Sequence, residues 1–361
     1  MTDDEKLKEI RDRIDRLDEQ IQELISQRAR AAQEVAHIKL ASDPQAVFYR
    51  PEREAAVLSR IKARNRGPLG SEEMARLFRE IMSACLALEQ PLQIAFLGPE
   101  GTFTQAAALK HFGHSVATMP MGSIPDVFRE VESGACQYGV VPVENSTEGM
   151  VTHTLDMFVA SPLLICGEVT LRIHHHLLSH EADLYAVRKV YSHQQSLAQC
   201  RLWLERNLHH AELMAVGSNA EAARLAAAEA GAAAIAGEMA AELYRVPKLA
   251  ENIEDEPDNT TRFLVIGRQK VPPSGEDKTS LLLSTHNVAG SLSGLLEPLA
   301  RHGVSMTRIE SRPSRRRNWD YVFFVDVEGH QDDPGVAEAF RELKSKAQLF
   351  KVLGSYPVAV L

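Results

Sequence analysis

The 361-residue sequence lacks the segments that would carry it into or across a membrane. It contains no apolar run near the ~18 residues that a membrane-spanning helix needs. Its first residues, MTDDEKLKEI, are charged throughout, which is unlike a secretory signal peptide. Only four cysteines are present and none form a Cys-X-X-Cys pair, which is typical of reduced thiols. We therefore expect a cytoplasmic protein without a membrane contact.

An excess of positive charge is also lacking. Lys and Arg number 40 against 49 Asp and Glu, for a formal net charge of −9, and no basic block is present. Such a chain is not expected to bind nucleic acid as its main partner. What the sequence does have is length, because 361 residues predict two or three domains with separate cores.

The first 90 residues have the periodicity of helices. Apolar residues recur at spacings of three and four, as on one face of a long helix: Leu7, Ile10, Ile14, Leu17, Ile21, Leu24, Ile25, Val35 and Ile38. A helix of nearly 40 residues is about 55–60 Å long, so we expect a partner chain to cover it. Further helices are predicted from Pro51 to just before Arg66, and from Ser71, as N-cap, to about Glu89.

The remainder of the chain alternates between strand and helix patterns. Short apolar strands are predicted at 93–98, 138–143, 163–166, 189–192, 232–237 and 262–267. With helices between them, such as 218–230, they predict an α/β region with parallel strands. A linker at 271–277 precedes a βαββαβ order typical of ferredoxin-like units, with elements at 280–286, 291–301, 304–311, 319–328, 334–346 and 349–359.

Basic residues interrupt the apolar face of the first helix. Arg28 and Lys39 are 11 residues apart, so both point the same way. Arg11 is rotated about 100° from Arg28 and lies ~25 Å away along the axis. An antiparallel second copy could bring its own Arg11 to the Arg28 face. The alternative is that these long side chains only extend from a coiled-coil contact into solvent.

In the α/β region, polar residues gather where strands end. Thr102 opens a helix whose free backbone N–H groups favour an anion. A second polar string, Glu144 to Thr147, directly follows another strand. The third string is YSHQQSLAQC (191–200), and the fourth places Thr261 and Arg262 at the entry to a strand. Each string alone is consistent with turn chemistry, but four together predict a cleft. In His174–His176, strand alternation sends the middle imidazole to the opposite face, so the three do not predict a metal site.

The strings LKEIRDRIDRLDEQIQELISQRARAAQEVAHIKL, RPERE and RLFREIMSACLALEQ closely resemble the all-helical chorismate mutases. The resemblance implies an all-α intertwined dimer over 1–90, with sites shared between chains. It assigns substrate-binding cations to Arg11, Arg28 and Lys39, an Arg-Glu pair to Arg53 and Glu54, and a donor to the ether oxygen to Glu89. Rearrangement of chorismate to prephenate is concerted and requires positioning and charge stabilisation, without metal or cofactor.

Residues 93–270 resemble the prephenate dehydratases, most specifically in Thr261-Arg262-Phe263 and in EVTLRIHHHLLSH (168–180), a single strand in the prediction. The resemblance implies a two-lobed α/β fold like that of type 2 periplasmic binding proteins, in which prephenate becomes phenylpyruvate. It gives the catalytic hydroxyl to Thr261. Cleft or ligand-contacting roles fall to Thr102, Asn145, Ser146, Gln195 and Arg262.

Residues 279–361 resemble the ACT regulatory domains, which implies an α+β ferredoxin-like fold and an L-phenylalanine site. The matching residues are Asn287, Gly290, Ser291, Leu292, Glu310, Ser311, Arg312 and Pro313. The order of the three segments is similar to that of the bifunctional enzymes of phenylalanine biosynthesis, which are feedback-inhibited homodimers or larger oligomers. Two alternatives are a non-catalytic amino-acid sensor and a mutase fused to a dehydrogenase. The dehydrogenase would need a Gly-rich dinucleotide fingerprint, which GPEGTF (98–103) does not match.

Overall fold

The computed structural model describes residues 2–44, 46–286, 288–313 and 321–361. Its N-terminal region consists of three helices, α1 (Asp3–Ser42), α2 (Pro51–Arg64) and α3 (Ser71–Glu89). Thr2 and Glu5 form a capping box at the start of α1, and Pro51 occupies the first position of α2. The three predicted helices are therefore present. The predicted N-cap is wrong, because Gly70 precedes α3 and Ser71 is already helical.

Helix α1 has an apolar face that this single chain leaves open. Among its described residues only Ala36 is buried. Six residues that follow the helical repeat are each 47–63% exposed: Leu7, Ile10, Ile14, Leu17, Ile21 and Leu24. A continuous exposed apolar stripe of this length is typical of a protein–protein interface.

The rest of the chain alternates helices and strands. The further helices are α4 (Phe103–Phe112), α5 (Ile124–Ser133), α6 (Thr152–Ala160), α7 (Gln194–Gln199), α8 (Arg201–Asn207), α9 (Asn219–Ala228), α10 (Glu238–Tyr244), α11 (Ser291–Arg301) and α12 (Pro334–Lys346). The strands are β1 (Gln93–Leu97), β2 (Ala117–Met121), β3 (Tyr138–Asn145), β4 (Gly149–Met150), β5 (Leu164–Arg172), β6 (His176–Ser179), β7 (Lys189–His193), β8 (Glu212–Val216), β9 (Ala232–Ala236), β10 (Lys248–Ala250), β11 (Thr260–Gly267), β12 (Asp277–Ser284), β13 (Met306–Pro313), β14 (Tyr321–Glu328) and β15 (Leu349–Pro357).

The middle region forms two lobes, each built on one sheet. The first sheet has the order β2-β1-β3-β11-β5, with β4 beside β3, and the second has the order β10-β6-β9-β7-β8. The prediction of parallel strands is wrong for part of each sheet. Strand β11 is antiparallel to both β3 and β5, because the chain returns from the second lobe into the first sheet. In the second sheet, β6 is antiparallel to β9 and β10.

The single strand predicted over 168–180 is interrupted. Strand β5 ends at Arg172 in the first sheet, and β6 begins at His176 in the second. The three intervening residues cross from one lobe to the other. This break places the histidine string beside the space between the lobes.

The C-terminal region has the predicted βαββαβ order, in an antiparallel sheet ordered β13-β14-β12-β15. Its two helices have the predicted bounds. One face of this sheet packs on the first lobe, where Phe324, Leu353 and Tyr356 share an apolar cluster with Ile165 and Ile266. The C-terminal sheet is therefore part of the same packed body as the first lobe. Within the described residues, no helix is both long and apolar enough to span a bilayer.

Candidate active sites

The helical region contains a cavity of about 530 Å³ between α1, α2 and α3. Four of the predicted site residues line it: Arg28, Lys39, Arg53 and Glu89. Arg28 and Lys39 reach the cavity from the same face of α1, as their spacing predicts. With Arg50, the cavity brings four cations and one carboxyl group together around a space large enough for a small dianion.

The carboxyl group of Glu89 has an altered acidity in this cavity. Burial raises its pKa above the ordinary value, and the positive charges of Lys39 and Arg28 offset part of that effect. A raised pKa increases the protonated fraction, so Glu89 can donate a hydrogen bond to an ether oxygen. Lys39 is held nearby, with Nζ 3.2 Å from the carbonyl oxygen of Val47 and 5.3 Å from the ring centre of Phe48.

Two predicted mutase residues lie outside this cavity. The Glu54 carboxylate is 3.3 Å from Nε of Arg79, and burial raises its pKa. Successive residues on a helix point about 100° apart, so Arg53 and Glu54 cannot both face the same cavity directly. Arg11 is exposed on the free end of α1. Arg50 and Cys85 also line the cavity, although neither was predicted as a site residue.

A second cavity, of about 510 Å³, lies between the two lobes. Four predicted residues line it: Thr102, Asn145, Gln195 and Thr261. They come from different elements, since Asn145 ends β3, Thr261 lies in β11 and Gln195 lies in α7 of the second lobe. The predicted cleft is therefore present, with polar residues from both lobes.

Thr261 is held for hydrogen-bond donation into this cleft. Its Oγ1 accepts a hydrogen bond of 2.8 Å from Nδ2 of Asn145, and its side chain is nearly buried. A hydroxyl that already accepts from the protein keeps its own hydrogen for a ligand. Asn145 is the residue that fixes this direction.

The start of helix α4 also faces the cleft. Thr102 is its N-cap, but the Thr102 hydroxyl donates to the carbonyl oxygen of Leu97, 3.2 Å away, and does not cap the helix. The first backbone N–H groups of α4 are consequently left without a side-chain acceptor at the N-cap. Such a helix start favours a negatively charged ligand group.

Two predicted ligand contacts lie away from the cleft. Ser146 Oγ accepts from the backbone N–H of Thr260 at 2.9 Å. Arg262 is a correction of the prediction: its guanidinium donates to Glu168 at 2.9 Å, to Asp326 at 2.6 Å and to Tyr356 at 2.9 Å. Adjacent strand residues point to opposite faces, so when Thr261 faces the cleft, Arg262 faces the C-terminal sheet.

This contact between sheets is a buried group of charges. Burial alone would raise the pKa of Asp326, but Arg262 and a hydrogen bond of 2.5 Å from Ser280 hold it below the ordinary value. Lys278 adds an ion pair of 2.7 Å to Glu168. The residue next to Thr261 in the chain is therefore bound directly to the C-terminal domain.

Two cleft residues, His175 and Gln199, were not predicted, although both lie in the polar strings described above. His175 is 1% exposed, and its Nε2 lies 2.8 Å from Oε1 of Gln199. The neighbouring imidazoles have other partners, Glu254 for His174 and the N–H of Asn252 for His176. The three rings therefore have three different partners, but strand alternation is not the cause, because the strand predicted through them is interrupted at 173–175.

The predicted effector residues occupy two places in the C-terminal domain. Gly290 adopts a left-handed conformation, with φ of 79°, before Ser291 and Leu292 begin α11. Residues 310–313 lie in β13, paired with 321–324 of β14. Arg312 reaches the first lobe, with Nη2 3.2 Å from Asp156. Asn287 lies outside the described residues.

Comparisons with known proteins identify each region. The chain matches the family models for chorismate mutase type II over residues 10–90, prephenate dehydratase over 94–271 and the ACT domain over 279–345. Bifunctional chorismate mutase/prephenate dehydratases of Stutzerimonas stutzeri and Pseudomonas aeruginosa are 59% and 58% identical to it. Each alignment covers 100% of both chains.

Solved structures match the middle and C-terminal regions. The prephenate dehydratase of Arthrobacter aurescens, in complex with L-Phe, has 33% identity and a TM-score of 0.68, covering 74% of this chain and 90% of that one. The Staphylococcus aureus prephenate dehydratase has 27% identity and a TM-score of 0.66 over 73% and 100%. A quorum-quenching acylase has 30% identity and a TM-score of 0.69 over 74% and 98%.

A helical mutase-type region, a two-lobed cleft like that of periplasmic binding proteins and an ACT sheet define a bifunctional biosynthetic enzyme with a regulatory domain. Its two catalytic regions are an isomerase and a lyase. The chain belongs to the bifunctional chorismate mutase/prephenate dehydratase family of phenylalanine biosynthesis. The predicted family, fold class and enzyme activities are thereby confirmed, and the alternatives of a non-catalytic sensor and a dehydrogenase fusion are not supported.

Proposed function

We propose that the helical cavity rearranges chorismate to prephenate and that the cleft between the lobes converts prephenate to phenylpyruvate. The functional units are residues 1–90, 93–270 and 279–361. One observation carries the assignment: Arg28, Lys39 and Arg53 surround a protonatable Glu89 in one cavity, while Thr261 faces a separate cleft. The two chemistries thus have separate sites in one chain.

In the mutase site, the residues act by binding and by electrostatics. Chorismate carries two carboxylates, which the cations Arg28 and Arg53 can hold in the reactive conformation. Charge develops on the ether oxygen as its bond to the ring breaks, and Lys39 with protonated Glu89 can stabilise that oxygen. Fixed donors that match developing charge lower the barrier without any covalent step.

A homodimer completes this site. The apolar stripe on α1 is exposed in the single chain, and Arg11 lies on that same exposed part of the helix. An antiparallel α1 from a second copy would cover the stripe and would bring Arg11 to the cations of the first copy. The free apolar surface supports this arrangement, since burial of apolar area drives most protein association.

In the dehydratase site, the negative substrate is bound at the start of α4, near Thr102. The reaction removes CO2 and the ring hydroxyl: the electron pair of the C–CO2 bond passes into the ring as the C–O bond breaks, and the departing hydroxide takes up one proton to leave as water. A threonine hydroxyl is a weak acid near pH 7. Thr261 therefore assists by donating a hydrogen bond to the departing oxygen rather than by giving up its proton.

Inhibition by L-phenylalanine acts through the ACT domain. The predicted binding residues at 287–292 and 310–313 lie in this domain, and the related Arthrobacter aurescens enzyme was solved with L-Phe bound. Two contacts carry the effect to the cleft: Asp326 binds Arg262 beside Thr261, and Arg308 of β13 contacts Met150, which lines the cleft. A binding-induced shift of the ACT sheet would move both. We also propose that the enzyme is cytoplasmic, in keeping with the expectation from its sequence.

The experiment is to feed chorismate to the purified full chain with Thr261→Ala and to follow prephenate and phenylpyruvate by chromatography. Prephenate should accumulate, because the mutase site is untouched and the leaving oxygen has lost its donor. Thr260→Ala is the matched control, since the Thr260 hydroxyl donates to the Asp258 carbonyl and does not face the cleft. Phenylpyruvate formation at the wild-type rate by Thr261→Ala would contradict the assignment.

A further inference from the structure

A chain of hydrogen bonds crosses the cleft from Thr261, and its direction is fixed by the backbone. Asn145 Oδ1 accepts from the backbone N–H groups of Thr147 and Glu148, each at 3.0 Å. Because those donors are amides of the main chain, they determine which end of the Asn145 side chain is oxygen. Its Nδ2 must therefore donate, to Thr261 Oγ1 and to Asn259 Oδ1, each at 2.8 Å.

The same reasoning continues to His175. With Oδ1 of Asn259 accepting, its Nδ2 is the donor that reaches Oε1 of Gln199 at 3.1 Å. Nε2 of His175 also lies 2.8 Å from Oε1 of Gln199. Because that oxygen can only accept, Nε2 must carry a hydrogen. A neutral imidazole with hydrogen on Nε2 has an unprotonated Nδ1 that can only accept.

Nδ1 of His175 is buried and has no hydrogen-bond partner among the described residues. The ring lines the cleft and stands edge-on to Phe103, with centres 5.6 Å apart. Burial lowers the pKa of His175; the hydrogen bond with Gln199 and the nearby Glu254 carboxylate oppose this, while His176 and His174 lower it further. The imidazole is therefore neutral near pH 7. A buried acceptor without a donor is unfavourable, so it fits a site that a ligand completes.

The two ends of this chain make a complementary pair, a donor at Thr261 and an acceptor at His175. Both carboxylates and the keto oxygen of prephenate can only accept hydrogen bonds. Its ring hydroxyl alone can both accept and donate.

We propose that His175 binds the ring hydroxyl that leaves, accepting its hydrogen at Nδ1 while the hydroxyl oxygen accepts from Thr261. The proposal rests on the dehydratase function assigned to the cleft. It adds a substrate-contacting residue and a basis for specificity, because phenylpyruvate lacks the ring hydroxyl and leaves this pair unfilled. The cleft thus distinguishes substrate from product at the position where the reaction removes the hydroxyl.

Two conservative variants of the full chain test the role of each ring nitrogen. His175→Asn keeps a polar atom near the place of Nδ1, and His175→Gln keeps one near the place of Nε2, facing Gln199. For each variant, kcat and KM are measured with prephenate, and the inhibition constant is measured for phenylpyruvate as a competitive inhibitor. Mutase activity on chorismate serves as an internal check that the chain is folded.

We expect His175→Gln to lower kcat/KM for prephenate by about 3- to 10-fold, the effect of losing one hydrogen bond. His175→Asn should retain more of this activity, and the inhibition constant for phenylpyruvate should stay within about twofold in both. Full activity in His175→Gln would overturn the proposal, because a role through Gln199 alone would then suffice. Equal weakening of prephenate and phenylpyruvate would also overturn it, as general damage to the cleft. A wild-type chain without dehydratase activity would contradict the assigned function itself.

Discussion

Replacing Asp326 by Asn removes the negative charge that the ACT sheet presents to Arg262. The side chains of both residues are largely buried, at 9% and 15% exposure, and Nη1 lies 2.6 Å from Oδ2. Removing one partner of a buried pair typically costs ~3–5 kcal/mol because a charge is left uncompensated. Glu168 still faces Arg262, so we expect the lower end, a loss of about 3 kcal/mol in the free energy of unfolding.

Urea unfolding of the full chain measures this loss. Asp332→Asn is the matched control, since it makes the same change on a side chain that is 71% exposed, with an expected effect below about 0.5 kcal/mol. The pKa of Asp326 is lowered in the folded protein, so its contribution is present above the unfolded value of ~3.9 and is lost as pH falls through the folded pKa. The variant and the wild type should therefore converge in strongly acidic buffer. Equal stability of Asp326→Asn and Asp332→Asn at pH 7 would refute this reasoning.

The same variant tests the route of inhibition. If the Arg262 contact transmits the effect of L-phenylalanine to Thr261, Asp326→Asn should weaken inhibition at least ~5-fold, the low end of typical coupling. Asp332→Asn should leave inhibition unchanged. These contacts also explain why deleting the ACT domain would be a poor test, since it would strip Arg262 of two partners. If Asp326→Asn is destabilised but is inhibited normally, the contact stabilises the fold without transmitting inhibition.

Two further predictions concern the mutase site. If protonated Glu89 donates to the ether oxygen, mutase kcat/KM should fall as pH rises through its raised pKa, and Glu89→Gln should flatten that limb; an unchanged profile would refute the donor role. If the site is shared between copies, mixing Arg11→Ala chains with Arg28→Ala chains should restore activity in heterodimers, because one of the two sites regains both cations. Heterodimers that form without recovering activity would argue against the shared site.

The helices of the N-terminal and C-terminal regions were predictable from sequence because their signals are local. Periodic apolar residues and the Pro51 start set α1 and α2, and the bounds of α11 and α12 match the prediction. Strands β2 and β8 are among those that were not predicted. Both are edge strands with mostly exposed residues, and β2 contains Pro120, so neither shows an apolar run.

Only the site residues that lie within a single sequence motif were predictable from the sequence. Thr261 and Asn145 stand in recognisable strings, but the direction of strand β11 depends on a return from the other lobe, which no local pattern encodes. The position of Arg262 could have been predicted from strand alternation, once Thr261 was placed in the cleft. His175 could not, because the role of its free nitrogen follows only from hydrogen bonds between residues far apart in the chain, 24 positions for His175 and Gln199 and 114 positions for Asn145 and Asn259.

The most direct test of two separate sites in one chain compares Arg28→Ala with Arg30→Ala, each supplied with chorismate or with prephenate. Arg28 lines the helical cavity, whereas Arg30 is an exposed residue of the same helix, paired at 3.5 Å with Glu23. We predict that Arg28→Ala fails to consume chorismate yet converts prephenate to phenylpyruvate at the wild-type rate, and that Arg30→Ala does both. Normal consumption of chorismate by Arg28→Ala, or equal loss of both reactions in a folded chain, would contradict the account.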